Sequence, residues 1–483
     1  CLHGVCLKVP PVSPALPMMK YLATLAALVA LMLLSLVPSG AEETPVTSFG
    51  AKGDGRADDT AAIQKAVNAG GAIRFPRGVY RLTSTVVIDL DKTGFTSLIG
   101  DGVARFVMAG PGPAFKFVGT HQGSAAPHTF KPNVWDRQRM PLVDGIEIVG
   151  AHPEADGIEA TGTMQLTITR TTVREARHGI HLTARNRNVI ISDCHIYHNS
   201  GAGVFYDHVD LHQSTNTGSH ISYNAGGGVV SIGGGVRNLH IGTCDIESNM
   251  APDAPPTANV LIDCTGGSTA EVTIVGCTIQ HNPSPGSANV RYIGKGASRG
   301  GEEYQWGHLT IADNVLSDVE INLDLHHVRG AVILGNTFGG GYEYDLVVED
   351  CSHIAVGSNT FDRNPPYYRG DAAAAKGGLL FRNSRDITLT GLHIDGIRNQ
   401  KAAVVVEGCD TFNISGCTIL DSDGPGLLLQ NTTGSLVTGC LIADRRPERV
   451  PAPSLRVEGG SDNTLANNKL AQGEEIVPEP ASK

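Results

Sequence analysis

Ionisable side chains recur at one position of a repeated strand pattern, and their types are those used in acid–base chemistry. In the segment Gly179-Ile-His-Leu-Thr, alternation points Ile180 and Leu182 inward, so that His181 points outward. The same alternation puts further ionisable side chains on the outside: Asp207, Asp263, Arg291, Asp324, His326, Asp345, Glu349, Arg382 and Glu407. Carboxylates, imidazoles and guanidinium groups on one surface can take up protons or neutralise charge on a bound molecule.

A second repeat predicts the scaffold that positions these side chains. From about residue 140, an apolar residue, two positions, Cys or Asn, one position and another apolar residue recur. Such short strands bury a face only when they stack on copies of themselves, roughly every 4.8 Å. The rows begin at Ile168, Ile191, Ile241, Ile274, Ile311, Ile333, Val356, Leu389, Ile414, Val437 and Leu465, with a weaker row at Ile221. We therefore predict an all-β fold, a single-stranded right-handed parallel β-helix of about 12 coils.

The bend inside each row is predicted to hold buried cysteine and asparagine. Asparagine tolerates the left-handed backbone of a bend, and a stacked run would form a hydrogen-bonded ladder. Cysteine in the same position acts as a small buried apolar residue, so we expect stacked thiols rather than disulfides. The predicted bend column is Thr171, Cys194, Asn224, Cys244, Cys277, Asn314, Asn336, Asn359, Leu392, Cys417, Cys440 and Asn468.

The N-terminal part of the chain, residues 45–140, differs from the repeats at 141–470. A helix is predicted from Ala61 to Asn68, with Asp59 or Thr60 as its N-cap, and it would cover the open end of the solenoid. The segment carries Phe49-Gly-Ala-Lys-Gly-Asp-Gly, Asp58-Asp59-Thr60, Ile63-Gln64 and Phe75-Pro-x-Gly78-x-Tyr80. These motifs resemble the N-terminal module of the pectate-lyase-like superfamily, which includes rhamnogalacturonases and uronate epimerases.

The resemblance implies a polysaccharide substrate on the outward face of the first strands, and three types of enzyme remain open. A lyase is favoured, because basic and acidic groups mix on that face; Arg291 or Lys295 would act beside Asp263 and Asp324, which could hold Ca²⁺. A hydrolase would use Asp207 and Asp263, two coils or roughly 9.6 Å apart. An epimerase would use the stretch Tyr206-Asp207-His208, although Tyr206 is expected to face inward.

The chain lacks the combined signature motifs of the polygalacturonase-like hydrolases and of the epimerases, so a non-catalytic binder or tailspike-like adhesin also stays open. The expected metal ligands are Asp263 and Asp324. The predicted catalytic residues are Asp207, Asp263, Arg291, His181 and His208. The predicted substrate-binding residues are Trp135, Trp306, Asp324, His326, Lys295 and Asp345.

Two insertions beside the polar region, residues 119–140 and 293–307, contain both tryptophans of the chain, Trp135 and Trp306. Aromatic faces stack on sugar rings, and long loops on a rigid scaffold often carry function. The alternative is that these loops only pack over the rod.

Composition and the two ends of the chain indicate an exported protein. The formal net charge is −11, which argues against nucleic acid as a partner. Residues 18–41 are predicted to be a signal peptide, and residues 1–17 to be upstream translation. We expect secretion or a periplasmic location, no membrane span after cleavage, and a flexible tail at 471–483. The sequence does not predict the oligomeric state.

Overall fold

The computed structural model describes residues 44–123, 126–251, 257–282, 284–296, 304–367 and 370–478. The predicted signal peptide and upstream segment, and three charged residues of the second insertion, Arg299, Glu302 and Glu303, lie outside the described residues.

Parallel strands stack coil upon coil along the described chain, as predicted. The isoleucine rows superpose residue for residue: Ile168 pairs with Ile191, Ile241 with Ile274, and Ile274 with Ile311. The same column continues to Leu465. Each row therefore adds its apolar side chains to one continuous core.

The strands fall into three groups along the chain. The N-terminal strands are Thr44–Pro45, Asp54–Asp58, Gly71–Arg74, Gly78–Leu82, Val86–Asp89, Thr96–Met108, Gly112–Val118, Leu142–Gly150 and Ala155–Met164. The central strands are Thr167–Thr169, Thr172–Arg174, Ile180–Ser192, His195–Tyr197, Val204–Thr217, His220–Ser222, Val229–Ile232, Gly235–Gly242, Asp245–Glu247, Ala258–Asp263, Ala270–Val275, Thr278–Asn282, Ala288–Ile293, Gly307–Ala312 and Val315–His326. The C-terminal strands are Arg329–Leu334, Thr337–Glu349, Ser352–Val356, Thr360–Asp362, Leu379–Arg382, Arg385–Thr390, His393–Asp395, Val404–Glu407, Asp410–Ser415, Thr418–Leu420, Leu427–Gln430, Leu436–Thr438, Leu441–Ala443, Leu455–Glu458, Thr464–Ala466, Lys469–Leu470 and Glu474–Val477.

Each coil contributes to three parallel sheets. Sheet 1 contains the strands with the predicted outward ionisable residues, such as His181 and Asp207. Sheet 2 contains the isoleucine rows, and sheet 3 contains the short strands that follow the bend, such as His195–Tyr197. Long strands such as Ile180–Ser192 pass from sheet 1 into sheet 2 through a register irregularity.

One predicted row is wrong. Ile221 lies in sheet 3, where it pairs with Ile196 and Ile246, and Asn216 occupies the sheet 2 column between Ile191 and Ile241. Asn216 interrupts the apolar pattern of this column. Its side chain points into the core, where it donates a hydrogen bond of 2.9 Å to the hydroxyl of the buried Tyr206.

The same shift changes the bend column. Ser219, not Asn224, lies between Cys194 and Cys244, and its hydroxyl accepts the backbone N–H of Cys194. The remaining bend positions stack as predicted, and Asn314, Asn336 and Asn359 form a ladder with amide hydrogen bonds of 2.9 and 3.0 Å.

Asn224 belongs to a second ladder that sequence reasoning missed, at the corner where sheet 3 turns into sheet 1. Its side-chain amides form a chain of hydrogen bonds of 2.7–2.9 Å, in which each Nδ2 donates to the Oδ1 of the next member, and the last acceptor is the carboxylate of Asp345. Its members in order are Asn199, Asn224, Asn249, Asn259, Asn289, Asn322 and Asp345.

The eight cysteines of the described chain are all free and buried, so the prediction of stacked thiols is confirmed there. Cys244 and Cys277 occupy adjacent coils, and the backbone N–H of Cys244 approaches the Cys277 sulfur at 3.5 Å. Burial raises the pKa of the Cys351 thiol to about 12, so this thiol stays protonated and unreactive.

The helices are few. The α-helices are Thr60–Ala69 and Leu90–Thr93, the 3₁₀ helices Val46–Phe49, Pro127–Thr129 and Gly370–Ala374, and a π-helix spans Val134–Gln138. Helix Thr60–Ala69 covers the end of the solenoid with Ile63 and Val67 fully buried. Asp59 occupies the N-cap position, as predicted, but its side chain does not cap the helix. It accepts the N–H groups of Lys52 and Gly53 in the preceding loop, and Asp58 accepts the Thr60 N–H at 3.0 Å.

The predicted C-terminal tail is partly wrong. Glu474–Val477 forms a strand that pairs with Leu455–Glu458, because Ile476 and Val477 continue the strand pattern of sheet 1. In the part of the chain that the structure describes, no helix has the length and hydropathy needed to cross a membrane.

Candidate functional site

The outward face of sheet 1 carries two aligned columns of side chains. One column runs through Asp207, Ile232, Asp263, Ile293, His326 and Glu349. The other, two residues earlier in each strand, runs through His181, Phe205, Val230, Leu261, Arg291 and Asp324. The apolar residues of both columns split the predicted catalytic set into two separate clusters.

The first cluster is built around the carboxylate of Asp207. Its Oδ2 lies 3.0 Å from His181 Nε2, and its Oδ1 lies 2.7 Å from His208 Nδ1. The His181 side chain is 14% exposed and the His208 side chain 72% exposed. The same carboxylate thus holds one shielded imidazole and orients one that faces solvent.

Burial raises the pKa of Asp207, but the hydrogen bonds from His208 and His181 outweigh this and hold it below its usual value. Asp207 is therefore an ionised acceptor at neutral pH. A neutral His208 that donates Nδ1–H to it presents an unprotonated Nε2 to solvent, which is the arrangement of a carboxylate-oriented base.

Neighbouring coils shape the space around the two histidines. The His181 ring stacks on Phe205, with centroids 5.2 Å apart and planes 10° from parallel. The His208 ring lies over Gly233 of the next coil, where a Cβ atom would come within 2.5 Å of the ring. Gly233 also has a φ of +64°, so glycine is required there on both counts.

Sequence reasoning missed two members of this cluster, Phe205 and His178. The alternation that put His181 outside also puts Phe205 outside one coil later, so that signal was present. His178 precedes the strand and had no periodic signal. Its Nδ1 accepts the Ala202 N–H at 3.1 Å, and burial lowers its pKa to about 4, which keeps it neutral.

The second cluster is a network of paired charges. Arg291 donates to Asp324 Oδ2 at 2.7 Å and to the carbonyl oxygens of Thr257 and Gly286, and its side chain is 14% exposed. His326 Nε2 lies 2.7 Å from Asp324 Oδ1. The hydrogen bond to Asp324 raises the pKa of His326.

Arg291 thus uses Nε and Nη1 for protein partners, and Asp324 uses both of its carboxylate oxygens. Burial raises the pKa of Asp324, but His326 and Arg291 outweigh it and keep the carboxylate ionised. An arginine bound in this way is held as a cation, which suits a structural role better than that of a base.

The predicted metal ligands do not come together. Asp263 and Asp324 lie two coils apart in different columns, and both oxygens of Asp324 are already bound by Arg291 and His326. Asp263 Oδ1 instead accepts the Thr265 N–H at 2.7 Å. No group of three or more metal-ligating side chains exists among the residues that the structure describes, so the donors do not fit a Ca²⁺ site.

Asp345 is buried, contrary to its prediction as an outward substrate-binding residue. It lies where the strand Thr337–Glu349 passes through the corner, and its side chain ends the asparagine ladder by accepting Asn322 Nδ2 at 2.9 Å. Beyond it one outward column of sheet 1 turns apolar, because Val347, Leu380, Val405 and Leu428 form a small buried cluster. The other outward column stays polar through Glu349, Arg382 and Glu407.

The two tryptophans lie at the corner between sheets 1 and 2, not over the face of sheet 1. Trp135 stacks on Phe130, and Arg139 lies 4.7 Å above the indole ring. Trp306 lies under Arg237, 4.9 Å from the ring centroid. Lys295 forms an isolated bridge with Gln305 in the same loop.

Three families match successive parts of the chain. Residues 44–137 match the family described as rhamnogalacturonase A/epimerase, pectate lyase-like, and residues 138–279 match right-handed beta helix regions. Residues 282–481 match a family named for the periplasmic copper-binding protein NosD. The described residues supply no cluster of copper ligands, and their cysteines are buried thiols. No curated protein matches the chain.

Solved structures share the architecture at low identity. The pre-mature bacteriophage phi29 gene product 12 is 13% identical with a TM-score of 0.53, over 93% of this chain and 59% of that one. The Dettilon tailspike protein is 16% identical with a TM-score of 0.48, over 90% and 68%. The A-module of an Azotobacter vinelandii mannuronan C-5 epimerase is 16% identical with a TM-score of 0.35, over 91% and 98%.

The continuous strand register, the helix that covers the N-terminal end and the three successive matches lead to one conclusion. The chain belongs to the pectate-lyase-like proteins with a right-handed parallel β-helix.

Proposed function

We propose that this protein is an exported polysaccharide lyase that cleaves a uronate-containing glycan by β-elimination. The observation that carries the proposal is the Asp207–His208 pair, with 2.7 Å between Oδ1 and Nδ1 and the imidazole facing solvent. The families that match the chain act as support, because pectate-lyase-like and epimerase names both concern uronate chemistry.

The reaction follows from the orientation of His208. Its Nε2 takes the proton from C5 of the uronate, next to the carboxylate. The electron pair forms the C4–C5 double bond, and the glycosidic oxygen leaves C4 and takes a proton from solvent. Asp207 keeps the imidazole in the basic tautomer and stabilises the imidazolium that forms.

Elimination also requires a cation near the uronate carboxylate. Arg291, the earlier candidate, is bound to Asp324 and does not suit this role. Arg187 and His212 are better candidates, since they lie on adjacent coils at the corner that starts directly after His208.

The test is turnover of a panel of uronate-containing polysaccharides, followed by the ultraviolet absorbance of the unsaturated product. His208→Gln should lower the rate by about 10²–10⁴-fold, the usual contribution of a general base. Asp207→Asn should lower it as well, while substrate binding is retained. His240→Gln is the control, because His240 is exposed on sheet 2, where its ring shares a hydrogen bond with Thr273.

A hydrolase is the second candidate, favoured by the alignment of Asp207 and Asp263 two coils apart in one column. That spacing is roughly 9.6 Å by strand separation, close to the range of inverting glycosidases. New reducing ends without the unsaturated product would establish the hydrolase and exclude the lyase. Retention of a glycan without turnover would establish a binder.

A further inference from the structure

A row of arginines runs along the corner between sheets 1 and 2. Arg139 pairs with Met164, which pairs with Arg187, and the column continues through His212 to Arg237. Farther along the same column lie Gly307, Arg329, Ser352 and Arg385, each paired with the next. We call Arg139, Arg187, Arg237, Arg329 and Arg385 the arginine row.

Aromatic rings lie against the first three members of the row. Arg139 lies 4.7 Å above the ring of Trp135, and Arg187 lies 4.7 Å above that of Phe130, which stacks on Trp135. Arg237 lies 4.9 Å above Trp306. Stacking on aromatic faces holds the guanidinium groups in fixed orientations. Arg139 Nε and Arg187 Nη1 are buried without a hydrogen-bond partner among the described residues, whereas Arg237 also donates to the backbone carbonyl of Ser268.

Few carboxylates compensate the row, although the protein is acidic overall. In the described part of the chain, Arg139, Arg187, Arg237 and Arg329 form no ion pair with a carboxylate. Arg385 lies 3.5 Å from Asp386, and Glu271 lies beside the row at Arg237. The row is therefore a local positive strip on an acidic molecule, which attracts an anionic ligand.

The titration of neighbouring groups agrees with a positive local potential. Burial lowers the pKa of His212, and the charge of Arg187 lowers it further, against a smaller opposite effect of Glu271. Burial, then Arg185 and Arg187, lower the pKa of His121 to about 4.

The C-terminal part of the row borders an open cavity of about 740 Å³. Trp306 and Tyr304 stand at one side, with their rings stacked 5.7 Å apart, and Arg237, Arg329 and Arg385 line it. The cavity is large enough for several sugar rings, and it combines stacking faces with cations.

The spacing of the row indicates how often the ligand carries charge. Arg139, Arg187 and Arg237 follow each other every second coil, and so do Arg329 and Arg385, whereas three coils separate Arg237 from Arg329. Two coils correspond to roughly 9.6 Å along the helix axis. This distance is close to the length of one disaccharide in an extended 1,4-linked glycan.

We propose that the arginine row binds a linear glycan with one carboxylate per disaccharide, laid along the helix axis over the corner between sheets 1 and 2. The proposal names the ligand of the proposed lyase. It rests on the lyase function in one respect, that the bound glycan is also the substrate. The binding itself follows from the row, the rings and the cavity.

The test measures binding in the His208→Gln background, so that turnover does not consume the probe. The probes are oligosaccharides of equal length from hyaluronan, with one carboxylate per disaccharide, from polygalacturonate, with one per sugar, and from neutral chitin. Hyaluronan should bind more tightly per charge than polygalacturonate, chitin should not bind, and added salt should weaken binding.

Arg329→Gln with Arg385→Gln should weaken hyaluronan binding about tenfold, because two exposed ion pairs are lost. The matched control is Arg77→Gln with Arg449→Gln, which removes the same charge from exposed positions outside the row. Equal weakening by the control pair, or binding of chitin, would overturn the site. Tighter binding of polygalacturonate than of hyaluronan would overturn the charge spacing. If the protein turns over none of the polysaccharides but binds hyaluronan in this pattern, only the proposed reaction is overturned.

Discussion

At the residue scale, the pKa of the same kind of side chain is shifted in opposite directions at two points of sheet 1. Asp207 accepts hydrogen bonds from two histidines and has a lowered pKa, so it is ionised. Asp345 is enclosed at the end of an asparagine ladder, and burial raises its pKa to about 6, above the effect of its hydrogen bond from Asn322. The balance between burial and the hydrogen-bond donors around each carboxylate therefore decides whether its pKa lies below or above the usual value.

Asp345 gives the protein a pH-dependent stability that Asp345→Asn should remove. The unfolded carboxyl group ionises near pH 4, whereas the folded one keeps its proton to about 6. Between those values only the unfolded state loses its proton, so the free energy of unfolding falls as the pH rises. The total loss is up to about 3 kcal/mol, and it is complete above the folded pKa.

Denaturant unfolding at pH 4, 5, 6 and 8 measures this effect. The free energy of unfolding of Asp345→Asn should rise relative to that of the wild type between the unfolded and folded pKa values. Above the folded pKa, the difference between the two proteins should stay constant. Asp462→Asn, which changes an exposed carboxylate, should follow the wild type. An Asp345→Asn variant with an unchanged pH profile would show that Asp345 is ionised in the folded protein.

Which outward residues meet could be predicted only in part from the sequence. Alternation gave the correct face for His181, Asp207 and Arg291, because the period of a strand is two. It failed for Asp345, since this residue lies at the corner between sheets 3 and 1, where its side chain turns inward to accept the Asn322 amide. Alternation also gives no information on ion pairs, so the sequence did not show that Arg291 is paired with Asp324.

At the element scale, side chains at the corners connect each coil to its neighbours through hydrogen bonds. In the bend between sheets 2 and 3, Asn336 bonds to both adjacent coils. Its Oδ1 accepts the backbone N–H of Asn314 at 3.0 Å, and its Nδ2 donates to Ile311 O and Asn359 Oδ1. Cysteine takes the same position in other coils, where its sulfur also accepts a backbone N–H, as Cys277 does.

Asn336→Ala should destabilise the protein by about 2–4 kcal/mol, because it leaves the buried N–H of Asn314 and the carbonyl of Ile311 without partners. Asn336→Cys should have roughly half that effect, since its sulfur can accept the N–H as Cys277 does. Thermal and urea unfolding of the two variants compare them directly. If cysteine is as destabilising as alanine, the two residues are not interchangeable at this bend.

The positions of the arginine row also follow a spacing in the sequence that the sequence analysis does not include. Arg187, Arg237, Arg329 and Arg385 each stand four residues before the start of a sheet 2 row. The aromatic partners could not be found in this way, because the loops that carry Trp135 and Trp306 have no repeat.

At the scale of the whole molecule, the first and last coils of the described chain differ in how their strand edges are covered. Helix Thr60–Ala69 covers the N-terminal end with Ile63 and Val67 buried. At the other end, the strand Glu474–Val477 is exposed along its length, with Ile476 63% and Val477 42% exposed. Glu474 and Pro478, both exposed, flank these apolar side chains.

A charged residue and a proline are the usual means of preventing an edge strand from pairing with another molecule. Replacing both, as Glu474→Thr with Pro478→Thr, leaves an apolar edge with a complete set of backbone donors. This variant should associate end to end, with an apparent mass in light scattering that rises with protein concentration. Pro447→Thr with Glu448→Thr makes the same changes in an exposed loop and should not alter the mass. Should both pairs behave alike, the C-terminal edge is protected by its geometry, and the charge and the proline contribute nothing to keeping the molecules apart.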